Sequence, residues 1–204
     1  ILPHWNWEGR EGETTPVFVY TSYPCAELFV NGVSQGKRTF AEPEGQTPCL
    51  GEKAMKRFRL MWDEVTYQPG ELKVVAYDDE GQPVDEKTIH TAGKAAAIKL
   101  TPDRKIIKAD GEDLCFINVS LTDKYGNPVP CDSRLVKVKV SGAGSFKAIA
   151  NGDPTCLESF QQPQMHLFSG QLTVLVQAGT QPGDISVEVS GKGVKKATLK
   201  IKTE

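Results

Sequence analysis

The chain has 204 residues, of which 39% are hydrophobic and 25% are charged, and its formal net charge at pH 7 is −2. This length suffices for one large or two ordinary domains, and the near balance of charge argues against a nucleic-acid-binding or membrane-surface protein. No apolar run approaches the roughly 18 residues that a membrane-spanning helix needs. The chain begins with Ile1 and not with Met, and we expect it to be part of a longer polypeptide.

The first predicted elements follow an aromatic segment. Trp5 and Trp7 lie two residues apart, so they share a face if the segment is extended. A charged loop leads into PVFVYTS at Pro16–Ser22, which alternates between two faces and predicts a strand. The Tyr23-Pro24 pair then ends it.

A β-hairpin is predicted around Ala26–Gly36, AELFVNGVSQG. Leu28 and Val30 fall on one side of an extended chain and Phe29 on the other, and Asn31-Gly32 follows directly. Asn-Gly between apolar runs is the strongest short-range hairpin signal, because both residues tolerate the positive φ of a type I′ turn.

The first half ends with three more predicted strands. Residues 41–54 are rich in Pro, Gly and charge and predict an exposed loop, with a single helical turn near Glu52–Lys56 left open. In RFRLMW, at Arg57–Trp62, we expect Phe58, Leu60 and Trp62 to face the core. The two strands that follow are predicted at Glu71–Tyr77 and Val84–Thr91.

A domain boundary is predicted in Thr91–Ala97, a run of small residues without large apolar anchors. The pattern of short strands and turns then starts again. The predicted strands of the second half are Asp113–Thr122, Leu135–Val140, Phe146–Ala150, Leu167–Gln177, Asp184–Val189 and Lys195–Lys202. Residues 155–165 predict an irregular loop.

This pattern predicts an all-β protein of two tandem immunoglobulin-like antiparallel β-sandwich domains, residues 1–93 and 94–204. Each half has the size of such a domain, and valines alternate with lysines in Leu135–Val140 as in a sheet with one wet face. The Cys…Trp…Cys pattern of antibody domains is absent, so the likeness concerns architecture only.

The five cysteines are Cys25, Cys49, Cys115, Cys131 and Cys156. Their odd number and the absence of a CxxC pair argue against a zinc site and a disulfide framework. We expect free thiols that are buried or half-buried, and one bridge within a domain stays open.

No catalytic or metal-binding pattern is found, and we expect no catalytic residue, metal or cofactor. His4, His90 and His166 lie far apart without HxH or HExxH spacing. The acids lie mainly in turns or on polar strand faces: the acidic turn Asp78–Glu80 favours a solvated turn over a calcium site, and Asp153 and Glu158 flank a loop.

Trp5 and Trp7 are the candidate carbohydrate-binding residues, because the C–H face of a sugar ring packs well on an indole. The alternative, which we favour, is that these tryptophans lie near a domain edge and fill the gap between domains.

Several motifs of the first half, in order, resemble the β-sandwich that follows the catalytic barrel in bacterial β-galactosidases of glycoside hydrolase family 2. They are LPHWNWEG at Leu2–Gly9, AELFVNG at Ala26–Gly32, RFRLMW at Arg57–Trp62 and PGELKVVAYDDEG at Pro69–Gly81. The second half resembles the final immunoglobulin-like domain of the same enzymes. Its motifs are TAGKAAAIKL at Thr91–Leu100, DRKIIKADGEDLCFINVSLTDKYGNPVP at Asp103–Pro130, NGDPTCLESF at Asn151–Phe160 and LFSG at Leu167–Gly170.

The resemblance implies an accessory, non-catalytic C-terminal region of a β-galactosidase-like enzyme, because the family's catalytic glutamates lie in a (β/α)₈ barrel and no βα pattern is present. The implied partner is the upstream barrel of the same polypeptide, with an oligomer contact and an oligosaccharide as further options. The implied location is the periplasm or the cell surface. Two alternatives stay open: a carbohydrate-binding module and a cell-surface adhesion or spacer array.

Overall fold

The computed structural model describes residues 1–40 and 58–204, in which fifteen β-strands form. The predicted all-β fold is confirmed, and the sheets are compatible with immunoglobulin-like sandwiches. The chain divides into two compact units, Ile1–Thr91 and Ala92–Glu204, whereas the predicted division falls after Gly93. The predicted loop at residues 41–54, the helical turn near residues 52–56 and Cys49 lie outside the described residues.

The first unit combines a four-stranded sheet with a two-stranded ribbon. Its strands are β1 (Val17–Val19), β2 (Cys25–Val30), β3 (Val33–Thr39), β4 (Leu60–Trp62), β5 (Glu71–Tyr77) and β6 (Pro83–His90). The sheet has the order β3-β2-β5-β6, and β1 pairs with β4. Leu28 and Leu72 of the sheet share one buried apolar cluster with Val17 and Leu60 of the ribbon.

The predicted β2–β3 hairpin is confirmed. Asn31 and Gly32 have φ values of 48° and 80°, as a type I′ turn requires. The Asn31 side chain also joins this turn to the start of β5: its Oδ1 accepts a hydrogen bond from the Glu71 amide at 2.8 Å, and its Nδ2 donates to the Pro69 carbonyl at 3.2 Å.

The prediction for Arg57–Trp62 is wrong at its first inward position. Leu60 and Trp62 are buried, but 67% of Phe58 is exposed. The ladder between β1 and β4 ends at the pair Val19–Leu60, so the alternation of a paired strand does not extend back to Phe58.

The second unit is a sandwich of a five-stranded and a four-stranded sheet. Its strands are β7 (Ala97–Pro102), β8 (Ile106–Ile107), β9 (Leu114–Thr122), β10 (Leu135–Gly142), β11 (Gly144–Ala150), β12 (Gln164–His166), β13 (Gln171–Ala178), β14 (Gly183–Gly191) and β15 (Ala197–Thr203). The sheet orders are β12-β10-β14-β15-β8 and β11-β13-β9-β7. Val136 and Val187 of the first sheet and Ile117 and Val174 of the second belong to one buried core.

The predicted continuous strand Leu167–Gln177 is wrong, because a tight turn divides it. Phe168 and Gln171 exchange backbone hydrogen bonds of 3.0 Å across Ser169-Gly170, whose φ values are 50° and 71°. β13 therefore begins at Gln171 and pairs with both β9 and β11. Residues 1–40 and 58–204 contain no helix with the length and hydropathy to cross a bilayer.

Candidate functional site

Trp5 lies in the core of the first unit. Only 1% of its surface is exposed, and its ring meets that of Tyr67 edge to face with centroids 5.0 Å apart. Its Nε1 donates a hydrogen bond to the Gln68 carbonyl at 2.9 Å. A buried indole whose N–H is satisfied is a packing residue, so Trp5 has no face left for a sugar ring.

Trp7 is half-buried beside the same cluster. The His4 ring stacks on it at a centroid distance of 4.4 Å, the Arg10 guanidinium lies 5.2 Å from the ring centroid, and burial lowers the pKa of His4. The structure thus separates the two candidate residues, one in the core and one near the surface. A sugar platform in this segment stays a prediction, and it depends on Trp7.

A cavity of about 550 Å³ lies in the first unit. Its described lining includes two acids, Asp63 and Glu64, which are consecutive residues in the turn after β4. A glycosidase holds its two carboxyl groups about 5–10 Å apart on either side of the glycosidic bond. The described lining contains no further acid that could stand opposite these two.

The acids singled out in the sequence act as turn residues. Asp78 Oδ1 accepts hydrogen bonds from the Glu80 and Gln82 amides at 3.0 and 2.8 Å. Asp153 Oδ1 accepts from the amide and the hydroxyl of Thr155 at 2.8 and 2.7 Å, and these bonds lower the pKa of Asp153. No group of three or more His, Cys, Asp or Glu side chains within residues 1–40 and 58–204 is arranged to hold a metal ion.

The thiols of Cys25, Cys115 and Cys156 are free. Cys115 is fully buried in the second core, and its Sγ donates to the Arg104 carbonyl at 3.3 Å. Burial, followed by the nearby Asp103 carboxylate, raises the pKa of this thiol to about 12. A nucleophilic cysteine needs a lowered pKa, so Cys115 is structural.

The loop between β11 and β12 is fixed by side-chain hydrogen bonds, which the sequence did not reveal. Asn151 Nδ2 donates to the His166 carbonyl at 2.9 Å. Glu158 accepts from the His166 amide at 3.0 Å, and its other oxygen lies 3.0 Å from the His166 ring. In this loop 99% of Leu157 and 52% of Phe160 are exposed. The loop therefore presents apolar side chains in a defined conformation.

Comparison with known proteins finds a matching family model in each half of the chain. The model "Glycoside hydrolase family 2 C-terminal domain 5" matches residues 98–200, half of the chain, and the model "Domain of unknown function (DUF4982)" matches residues 12–85. The Beta-galactosidase BoGH2A of Bacteroides ovatus is 37% identical over 205 residues, which cover 100% of this chain and 22% of that protein.

Two solved structures share the fold over nearly the whole chain. A β-glycosidase from Bacteroides vulgatus has a TM-score of 0.85 and 30% identity, covering 98% of this chain and 24% of that one. A glycosyl hydrolase family 2 member from Bacteroides cellulosilyticus has a TM-score of 0.83 and 33% identity, covering 100% of this chain and 24% of that one. The chain thus spans between a fifth and a quarter of the length of these relatives. It belongs to glycoside hydrolase family 2, as a C-terminal portion of such an enzyme.

Proposed function

We propose that the chain is an accessory, non-catalytic region of a β-galactosidase-like enzyme and supports a catalytic (β/α)₈ barrel upstream in the same polypeptide. The observation that carries the proposal is the coverage of the Bacteroides ovatus relative: all of this chain matches 22% of a protein named as a β-galactosidase. The remainder of a protein of that length is long enough for a (β/α)₈ barrel, which by itself takes about 250 residues. Hydrolysis of β-galactosides is then the activity of the full-length protein.

The exposed apolar side chains of the loop between β11 and β12 support a contact between this chain and the proposed catalytic domain. Burying a leucine side chain contributes about 1.5–3 kcal/mol, and a loop already fixed by its own hydrogen bonds loses little conformational entropy on docking. A leucine that is 99% exposed on such a loop is suited to an apolar contact. We infer that Leu157 and Phe160 pack against the upstream catalytic domain.

The proposed location is the periplasm or the cell surface, and it is supported by the resemblance to exported enzymes. Fractionation of cells that express the full-length gene, followed by detection with an antiserum against this chain, tests it. The enzyme is expected in the periplasmic or surface fraction. Recovery only with cytoplasmic markers would contradict the location and leave the accessory role intact.

Activity assays test the accessory role directly. The 204-residue chain and the full-length protein are assayed in parallel on p-nitrophenyl β-galactoside. We expect turnover by the full-length protein and none by the chain alone. Turnover by the chain at the rate of the full-length protein would refute the non-catalytic role, and a full-length protein that cleaves only β-glucuronides would refute the substrate.

The docking loop is tested in the full-length protein with Leu157→Asp. We expect a lower midpoint of thermal unfolding, because the variant loses about 1.5–3 kcal/mol of apolar burial and brings a charge into the contact. Tyr125→Asp is the matched control, since Tyr125 is also an exposed apolar residue of a turn in the second unit, at 76% exposure. Equal effects of the two substitutions would contradict a contact at Leu157.

A further inference from the structure

A cavity of about 380 Å³ opens on the outer face of the four-stranded sheet of the second unit. This volume lies at the lower end of the range of about 300–1,000 Å³ that is typical of ligand pockets. It suits a small ligand or a single unit of a longer one. The family comparisons assign no role to this surface.

The floor of the cavity is a row of residues that crosses three strands. Thr173 of β13 pairs with Asn118 of β9 on one side and with Ala150 of β11 on the other. The neighbouring residues Ile117 and Val174 are fully buried in the core, so alternation places the row on the outer face. The short side chains of Ala150 and Thr173 leave a depression between their larger neighbours.

One wall of the cavity is the ring of Phe168, which a tight turn holds in place. Phe168 and Gln171 are joined by two backbone hydrogen bonds of 3.0 Å. The turn between them lies directly against the chain at Val129, because a Cβ on Gly170 would come within 1.9 Å of the Val129 carbonyl oxygen. The Phe168 ring lies beside the backbone of Gly152, and 43% of the residue is exposed. The ring is therefore available and already oriented.

Polar groups without charge surround this ring. Asn118 Nδ2 contacts Gln171 Oε1 at 3.4 Å, which leaves Asn118 Oδ1 and Gln171 Nε2 with no hydrogen-bond partner among the described residues. Thr173 adds a hydroxyl to the same floor. None of the described lining residues is charged, so the cavity offers donors and acceptors but nothing to neutralise an ionic ligand.

We propose that this cavity binds one neutral pyranose ring of an oligosaccharide. A pyranose has an apolar C–H face that packs on an aromatic ring and hydroxyl groups that both donate and accept hydrogen bonds. The Phe168 ring matches the first feature, and the amides of Asn118 and Gln171 match the second. The inference goes beyond the proposed function, because it concerns binding by this chain with no catalytic domain present.

Isothermal titration calorimetry of the 204-residue chain tests the proposal with three probes: β-1,4-galactotetraose, cellotetraose and, as a probe in which every ring carries a carboxylate, tetragalacturonate. We expect saturable binding of at least one neutral probe and none of tetragalacturonate. Phe168→Ala and Asn118→Ala should each weaken that binding by about tenfold, or 1.4 kcal/mol. Asn118 is exposed, so its variant tests the site even if Phe168→Ala disturbs the hairpin.

Phe116→Ala is the matched control. Phe116 lies on β9, two residues from Asn118, is 42% exposed against 43% for Phe168, and does not line the cavity. Its replacement should leave the affinity unchanged. If Phe116→Ala lowers the affinity as much as Phe168→Ala does, the proposal is overturned, because the probe would then bind the sheet face in general and not the cavity. Failure of both neutral probes to bind, or binding of tetragalacturonate as tight as theirs, would also overturn it.

Discussion

Replacing Asp123 with alanine probes the turn after β9 and the first residues of the second unit. Only 4% of Asp123 is exposed. Its Oδ2 accepts hydrogen bonds from the Gly93 amide at 3.0 Å and from Asn127 Nδ2 at 3.1 Å. Its Oδ1 accepts from the Tyr125 and Asn127 amides at 2.8 and 2.9 Å. A single carboxylate thus closes the turn and anchors the segment that leads into β7.

The expected cost follows from the groups that lose their acceptor. Asp123→Ala removes the acceptor of three backbone N–H groups that converge on a buried carboxylate, although residues 124–126 of the turn are themselves exposed. Each unsatisfied buried donor costs about 1–3 kcal/mol. Because water can reach part of a turn, we expect a loss of about 3–5 kcal/mol. That is a large share of the 5–15 kcal/mol by which a typical domain is stable.

The matched control is Asp110→Ala. Asp110 closes a turn in the same way, accepting from the Glu112 and Asp113 amides at 2.9 and 2.7 Å, but it is exposed. Water can replace its bonds, so we expect a loss of about 1 kcal/mol.

The measurement must report on each unit separately, because two domains need not unfold in one step. All three tryptophans, Trp5, Trp7 and Trp62, lie in the first unit, so their fluorescence in urea follows residues 1–91 only. Hydrogen exchange by mass spectrometry on peptides from β9 and β13 gives the free energy of opening of the second unit. If Asp123→Ala lowers the free energy of opening of the second unit by no more than Asp110→Ala does, the reasoning about burial is refuted.

Acidification provides a second readout of Asp123. Burial raises the pKa of this carboxyl, but the hydrogen bonds from Gly93, Asn127 and Tyr125 outweigh burial, and the pKa lies below its usual range. In the unfolded chain an aspartate takes up its proton near about pH 3.9. The stabilisation by Asp123 is therefore complete well above that pH and is lost as the pH falls through the lower native pKa. The difference in stability between wild type and Asp123→Ala should shrink on acidification below about pH 4.

Three further predictions concern other positions. In urea unfolding, Gly170→Ala should destabilise the second unit by more than Gly126→Ala. Both glycines have a positive φ, which costs alanine about 1–2 kcal/mol. Only at Gly170 would the new Cβ meet a backbone oxygen, because nothing lies within 4 Å of a Cβ at Gly126. Cys115 is buried and its pKa is raised to about 12, so it should resist iodoacetamide at pH 8 in the native protein. Half-buried Cys156 should be alkylated before Cys115, as peptide mass spectrometry will show. Trp5→Ala should cost the first unit about 3–5 kcal/mol, read from the urea midpoint of the remaining tryptophan fluorescence.

Strands and hairpins with strong local signals were predictable from the sequence. Asn31-Gly32 gave the right turn type because the required φ values restrict the choice of residues. Alternation in β10 gave the right inward positions, Val136 and Val138, both of which are buried. In each case the information lies within a few consecutive residues.

The tryptophan segment shows why such reasoning fails elsewhere. The shared face of Trp5 and Trp7 assumed an extended strand, but residues 3–7 are not in a strand. The side chain that decides their placement is Tyr67, whose ring contacts Trp5 and whose hydroxyl accepts a hydrogen bond from the Trp7 amide at 3.1 Å. Tyr67 lies far along the chain, and no local pattern identifies it as the partner.

The cavity at Phe168 depends on strand register, which the sequence leaves open. Asn118, Thr173 and Ala150 come together only because β13 pairs with β9 and β11 in one alignment. A slip of one residue along β13 would turn Thr173 into the core and Val174 out to solvent. The turn at Ser169-Gly170 makes the slip costly, since it fixes where β13 begins and lies directly against Val129. A short glycine turn, overlooked when the strand is taken as continuous, thus determines both the register of the sheet and the position of the aromatic ring at the cavity.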